Sequence, residues 1–401
     1  MENISATITL KRGREKPILN FHPWVFSGAI AAVSGVPQPG DLVAVEDSSQ
    51  QFLAYAYYNP HSQIQGRIIS WNADARFDEA FWQQKLERAV ASRQLLNLEP
   101  ATTAYRLINA ESDGLPGLVV DKYGDYLVIQ CLTLGIDRRK EMFIKLLVEL
   151  EKPVGIVERS DVSVRRKENL KETSGLCWGE APPAELVVLE NGHQFLVNLM
   201  EGHKTGTYLD QRVNRAAVCR PEAVAGKEIL NVFSYTGGFA VYAAAHGAGM
   251  ITNIDSSAEA LMLAEKNVIL NNPDRPEDEY IQGDAFQVLR HYRDTGRQFD
   301  LVILDPPKFA HTQRDVTRAS RGYKDLNWLA LRLLKPGGLL ATFSCSGRVS
   351  ADLFQKILFS AAVDAGRDVQ IIEPLGQAAD HPILLTFPES AYLKGMLCRV
   401  W

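Results

Sequence analysis

No apolar run in the 401 residues reaches the ~18 positions that a membrane-spanning helix needs. The opening stretch, MENISATITLKRGREKP, lacks the basic-then-apolar order of a signal peptide. Cysteine is scarce. The five present (Cys131, Cys177, Cys219, Cys345 and Cys398) are odd in number and include no C-x-x-C pair. That argues against a disulfide framework and against a zinc or other metal site, and fits a reducing cytoplasm. Positive charge is not in excess either. The net charge is −5, so any nucleic acid must be gripped by local patches rather than by the whole surface. The phosphate loop G-x-x-x-x-G-K-[ST] is absent, and so is the G-x-G-x-x-G turn expected of a dehydrogenase. Repeats and low-complexity tracts are missing as well. What remains is a globular composition, 46% hydrophobic and 23% charged, in a chain long enough for two or three domains.

The pattern along the chain divides into three zones. Residues 1–75 read as short strands and turns, with a basic turn, KRGREK at 11–16, beside the aromatic HPWVFSGAI. Residues 76–185 read as an α+β module. FDEAFWQQKLERAVASRQLL has helical apolar spacing, GLVVDKY and YLVIQCL read as strands, and RRKEMFIKLLVEL as a helix before the strand VGIVERSD. SVRRKENLKE reads as a solvated basic loop. Residues 186–401 alternate strand and helix, which predicts a parallel, doubly wound sheet. HPILLTF and GMLCRVW, with no helix between them, are expected to close it as an antiparallel hairpin.

In such sheets ligands bind beyond the carboxyl ends of the strands. Four strand ends in succession carry suitable residues. Asn231 and the turn Tyr235-Thr236-Gly237-Gly238 follow the first strand, and small residues there let backbone approach a ligand. Asp255 ends the second strand, where a carboxylate can accept ribose hydroxyls. Asp284 ends the third, and Asp305-Pro306-Pro307-Lys308-Phe309 follows the fourth. Each Asp taken singly could be a helix N-cap; four such ends in a row point to a nucleoside-bearing cofactor.

The order NVFSYTGGFA, NID, GD, DPPKF resembles class I S-adenosylmethionine-dependent methyltransferases. With HPWVFSGAI, ESDGLPGLVVDKYGDYLV, GHKTGTYLDQR, RGYKDLN and SCSG, nearly the whole chain resembles the ribosomal RNA large-subunit methyltransferase I family. The resemblance implies an N-terminal PUA-like RNA-binding barrel, a small α+β middle domain and a Rossmann-like catalytic domain. It implies S-adenosyl-L-methionine as cofactor and carbon 5 of a cytosine in large-subunit rRNA, naked or in an assembly particle, as target. It further implies that GHKTGTYLDQR closes over the cofactor, with Gln211 and Arg212 as contacts. A related guanine methyltransferase and a non-catalytic assembly factor are the alternatives. The oligomeric state is left open, a homodimer among the options.

A thiol is what cytosine methylation at carbon 5 requires, because that carbon is a poor nucleophile until a thiolate adds to carbon 6. Cys345, between Ser344 and Ser346 after the fifth strand, is the candidate; the other four cysteines read as packing. Asp305 is the candidate contact to the cytosine edge. Where a second cysteine commonly follows the prolines in RNA 5-methylcytosine enzymes, this chain has Lys308, so no base for the carbon-5 proton is assigned. The segment HTQRDVTRASRGYKD, with Arg314, Arg318, Arg321 and Lys324, is expected to be a loop that clamps the RNA backbone with Lys308.

Overall fold

A computed structural model describes Ile4 and residues 6–401 apart from His203 and His311, with the main chain alone at Gln313. His203 of GHKTGTYLDQR and His311, which opens the basic segment, therefore lie outside the described residues. The chain forms two compact units that interleave in sequence. The first comprises Met1–Leu189, Val197–Thr207 and Ala379–Ser390, and the second Glu190–Leu196, Tyr208–Ala378 and Ala391–Trp401.

The first unit holds two sheets. Strands β1 (Thr7–Leu10), β2 (Trp24–Phe26), β3 (Ile30–Ser34), β4 (Leu42–Glu46), β5 (Phe52–Tyr58) and β6 (Ile64–Ser70) pair in the order β2-β6-β5-β4-β1-β3. Alternation in β1 and β4 buries Ile8, Leu10, Val43 and Val45 together. The second sheet, β11-β10-β9-β8-β7, consists of β7 (Ala104–Asn109), β8 (Leu118–Tyr123), β9 (Tyr126–Cys131), β10 (Gly155–Arg159) and β11 (Ser174–Gly179). Helices α1 (Glu79–Gln94) and α2 (Lys140–Glu151) supply Trp82, Leu86, Phe143 and Leu147 to its core. SVRRKENLKE is not a solvated loop. It opens as a 3-10 turn over Ser163–Glu168, in which Arg165 is buried and bonded to Asp137 at 2.7 Å. Glu168 is buried too, and accepts from Asn59, Ser62 and Arg67. Charged residues go inside here because each finds a charged or hydrogen-bonding partner. The later segments of this unit also complete buried polar groups. Thr205 donates to the buried Asp121 at 2.6 Å, beside the two bonds Asp121 receives from Arg106, and the buried Asp380 accepts the Arg106 N–H at 3.0 Å.

A two-stranded ribbon, β12 (Leu186–Glu190) and β13 (His193–Val197), carries the chain onward. The second unit is then built on a seven-stranded sheet: β14 (Glu228–Val232), β15 (Met250–Asp255), β16 (Glu279–Gln282), β17 (Phe299–Leu304), β18 (Leu334–Ser344), β19 (Val369–Gly376) and β20 (Lys394–Val400), in the order β16-β15-β14-β17-β18-β20-β19. β14 to β18 are parallel, and their interiors are largely buried and mostly apolar, as befits a sheet covered by helices on both faces. These helices are α3 (Arg212–Val218), α4 (Gly238–Ala245), α5 (Ala258–Asn271), α6 (Ala285–Thr295), α7 (Val316–Leu333) and α8 (Ala351–Ala365). Three start on a side-chain cap: Ser257, Asp284 and Ser350 accept from main-chain N–H groups at 3.0–3.1 Å, each worth about 1 kcal/mol. The closing antiparallel pair is β19 with β20. HPILLTF contributes no strand, only an isolated bridge between Leu384 and Phe387, and belongs to the first unit.

Candidate active site

Strand order reverses between β14 and β17, which makes the space beyond their carboxyl ends the switch point of the sheet. The turn after β14 has an unusual backbone. Phe233, Tyr235 and Gly237 all have positive φ, at 61°, 46° and 78°. Left-handed conformations at two non-glycine residues cost about 1–2 kcal/mol each, so something must hold them. At Tyr235, Asp255 does: one carboxylate oxygen accepts the Tyr235 N–H at 2.9 Å and the other the Ser257 N–H at 3.0 Å. Each oxygen keeps a further lone pair for a ligand.

The glycines of this turn serve packing more than ligand approach. A Cβ on Gly237 would lie 2.9 Å from the Ala264 Cβ, and one on Gly238 would lie 2.4 Å from Arg215 Nε. Arg215 is buried. It bonds both carboxylate oxygens of Glu190, at 2.8 and 2.6 Å, and the Tyr208 carbonyl at 2.7 Å. It thereby ties the end of GHKTGTYLDQR to the glycine turn, and the Tyr208 ring meets Tyr235 edge-on at 5.3 Å. Gln211 and Arg212 are buried, with Gln211 accepting from Asn214 at 2.5 Å. Asn231 lies inside the sheet, where its amide donates to Asn253 at 2.9 Å. The Thr236 carbonyl accepts from Asn267. Asp284 is exposed and caps α6. Tyr235 and Asp255 are thus joined directly. Asn231 and Gln211 spend these side-chain groups on neighbours in the protein.

The donor set suits a ribonucleoside. The Asp255 carboxylate faces the turn, and the hydroxyl of Ser234, within it, is buried without a partner among the described residues. An orphaned buried hydroxyl of this kind is satisfied when a polar ligand group reaches it.

Cys345 follows β18 and is half-buried. Its flanking hydroxyls are structural. Ser344 donates to the Tyr323 hydroxyl at 3.0 Å, the same hydroxyl lies 3.0 Å from Ser346 Oγ, and Ser346 Oγ accepts the Ala310 N–H at 3.3 Å. The network locks the cysteine turn to α7 and to the DPPKF segment. The Tyr208 hydroxyl lies within electrostatic reach of both Cys345 and Asp305. Burial raises its pKa, and the charges of Asp305, Tyr235 and Cys345 push the same way. Cys131, Cys219 and Cys398 are buried, and burial raises their thiols, that of Cys398 to about 12. Burial and the nearby Glu158 raise Cys177.

The basic segment is not a loop. A 3-10 turn over Gln313–Asp315 leads straight into α7, which starts seven residues before the expected helix at Tyr323. Arg318 and Arg321, three apart, share one exposed helix face, and Arg314 is exposed in the turn. Lys324 is committed to Asp364 at 2.6 Å. Lys308 is exposed. Tyr323, Arg215 and Lys394 were missed as site residues. Tyr323 and Lys394 reach the cysteine turn through folding, with no local pattern around them; only the quoted RGYKDLN drew attention to Tyr323. Among the described residues no helix is long and apolar enough to cross a membrane, and no group of three or more His, Cys, Asp or Glu could hold a metal.

Residues 8–71 match the family of PUA-like domains, and residues 163–397 match a family of S-adenosylmethionine-dependent methyltransferases. The protein is therefore an S-adenosylmethionine-dependent methyltransferase with a PUA-like domain. Two solved structures share its fold. One, described as a SAM-dependent methyltransferase from Streptococcus mutans, is 22% identical with TM-score 0.84, covering 98% of this chain and 99% of that one. The other, a methyltransferase complexed with SAH, is 23% identical with TM-score 0.86 and the same coverage. Ribosomal RNA large subunit methyltransferase I of Escherichia coli O139:H28 is 47% identical over 397 residues, 99% of this chain and 100% of the relative. Its namesake in Klebsiella pneumoniae strain 342 is 46% identical over 399 residues, 100% of this chain and 99% of the relative. The chain belongs to the ribosomal RNA large subunit methyltransferase I family.

Proposed function

We propose that this protein methylates carbon 5 of a cytosine in large-subunit ribosomal RNA, with Cys345 as the nucleophile. The observation that carries the reading is the cysteine turn. One half-buried thiol stands at the carboxyl edge of the sheet, held by the network of Ser344, Tyr323 and Ser346, with the Tyr208 hydroxyl in electrostatic reach of both it and Asp305. S-adenosylmethionine supplies a methyl group on a sulfonium, and Asp255, with the Ser234 hydroxyl and the Tyr235 turn, is the group to hold its nucleoside. The Cys345 thiolate adds to carbon 6 of the cytosine and loads electron density onto carbon 5, where the methyl group is accepted. A base, water included, takes the carbon-5 proton, the freed electron pair re-forms the ring double bond, and the thiolate leaves carbon 6. Asp305 accepts from the exocyclic amine or, protonated, donates to the ring nitrogen, which distinguishes cytosine from uracil. Arg314, Arg318 and Arg321 hold phosphates beside the extruded base, and the PUA-like domain grips RNA further away.

RNA carrying 5-fluorocytosine tests this, because fluorine blocks the elimination that frees the enzyme. The wild type should form an adduct that survives a denaturing gel and maps to the Cys345 peptide. Cys345→Ser should bind S-adenosylmethionine normally yet form neither adduct nor product. Robust methylation by Cys345→Ser would refute the reading and favour a guanine target.

A further inference from the structure

Lys394 has no part yet in the proposed reaction, although it sits against the cysteine turn. It opens β20 and, in the antiparallel register of β18 with β20, lies opposite Ser344. Its Nζ donates to the Ser346 carbonyl at 2.8 Å and to the Val349 carbonyl at 2.7 Å. Two of its three N–H groups therefore hold the loop that begins at Cys345, and the third is left for another partner.

We propose that Lys394 is a positioning residue for Cys345: it fixes the loop that carries the thiol, and its ammonium favours the thiolate. The proposal rests on Cys345 being the nucleophile. Burial, opposed by the charge of a Cys345 thiolate and aided by Lys308, brings the Lys394 ammonium down to about 8. Among the described residues no carboxylate enters that balance. A half-buried cation whose supporting anion is the thiolate must, by reciprocity, support the thiolate in turn.

Among the described residues, Lys394 on β20, Tyr323 on α7 and Tyr208 before α3 interact electrostatically with Cys345, while in the segment after β17 Lys308 acts on Lys394 and Asp305 on Tyr208. A cation beside the thiol favours the thiolate, and an anion opposes it. Both phenols are pushed up, chiefly by burial, and stay neutral near pH 7.

Alkylation by iodoacetamide reads the thiolate without RNA. The thiol releases its proton to buffer, the sulfur bonds to the methylene carbon, and iodide leaves. The rate at Cys345 is followed by mass spectrometry of its peptide across pH in the full-length protein, and S-adenosylmethionine binding checks that each variant is folded. Lys394→Gln keeps a donor and loses the charge. It should slow alkylation at pH 7 by about tenfold and raise the midpoint of the rate profile by about one pH unit. Lys394→Arg should keep both near wild type. An unshifted Lys394→Gln profile overturns the proposal, as does equal slowing in both variants with unshifted midpoints, since Lys394 would then be only a tether. Should Lys394→Gln fail to fold, a wild-type midpoint at or above the ~8.5 of a free thiol overturns it instead. A wild-type 5-fluorocytosine adduct at Cys345 combined with an unshifted Lys394→Gln profile defeats this proposal alone. Absence of that adduct defeats the cytosine reading.

Discussion

Replacing Asp255 with alanine should damage cofactor binding and the resting fold together, and the two losses can be measured separately. The carboxylate holds the Tyr235 N–H at 2.9 Å and the Ser257 N–H at 3.0 Å, and each oxygen keeps a lone pair for a ligand. A hydrogen bond to a charged group contributes about 1.5–3 kcal/mol, so losing the ribose contact alone should weaken S-adenosylmethionine roughly 10- to 150-fold. Releasing Tyr235 adds to this. Its left-handed backbone, at φ 46°, relaxes once untethered and must be recovered on binding, at about 1–2 kcal/mol. The combined expectation is a loss of about a hundredfold or more by titration calorimetry. The freed N–H groups reach water in the half-buried site, so the fold should lose only about 1–2 kcal/mol, or roughly 2–8 °C in the melting temperature. Asp255→Asn retains one acceptor oxygen and should fall between alanine and wild type in both measurements. An unchanged Kd in folded Asp255→Ala protein would refute the assignment. A Kd lost without any change in melting temperature would refute the claim that the carboxylate holds the turn.

Tyr323→Phe removes the hydroxyl shared by Ser344 and Ser346 and leaves Ser344 Oγ buried without that acceptor. It should cost about 1–3 kcal/mol in denaturant unfolding and slow 5-fluorocytosine adduct formation, while S-adenosylmethionine affinity stays at the wild-type value. Charge reversal at Arg314, Arg318 and Arg321 together should flatten the salt dependence of RNA binding by up to about three units of slope, with cofactor affinity unchanged. Lys324 is left out of that set because Asp364 already holds it; its own reversal should alter the salt slope little.

The strand ends could be read because each combines an apolar run with a polar residue at its close, a pattern that survives folding intact. Asp255 and Cys345 stand out for that reason. Residues that reach the site from a distance carry no such local mark. Lys394 looks like any lysine at the start of a strand until the register with β18 sets it opposite Ser344. Arg215 gives no hint that its guanidinium occupies the space a Gly238 side chain would take. Two misreadings have the same origin. Gly322 and the β-branched residues before it look like a loop, yet they continue α7, where a Cβ at 322 would sit in van der Waals contact with the Phe309 ring at 3.4 Å. HPILLTF has the composition of a strand, but the strand beside β20 is β19. Composition sets what a segment can form, and the neighbours available to it decide what it does form.

The interleaving of the two units governs how the protein can be dissected. A fragment stopped at residue 189 would keep both sheets of the first unit and still lack Thr205 and Asp380. The buried Asp121 would lose its hydroxyl donor and the Arg106 N–H its acceptor. No single cut releases either unit whole, so a protease nick at that point should leave the halves associated until denaturant is added. Grafting the unit that carries the PUA-like domain onto another methyltransferase would have to bring along the two short stretches stored further down the chain.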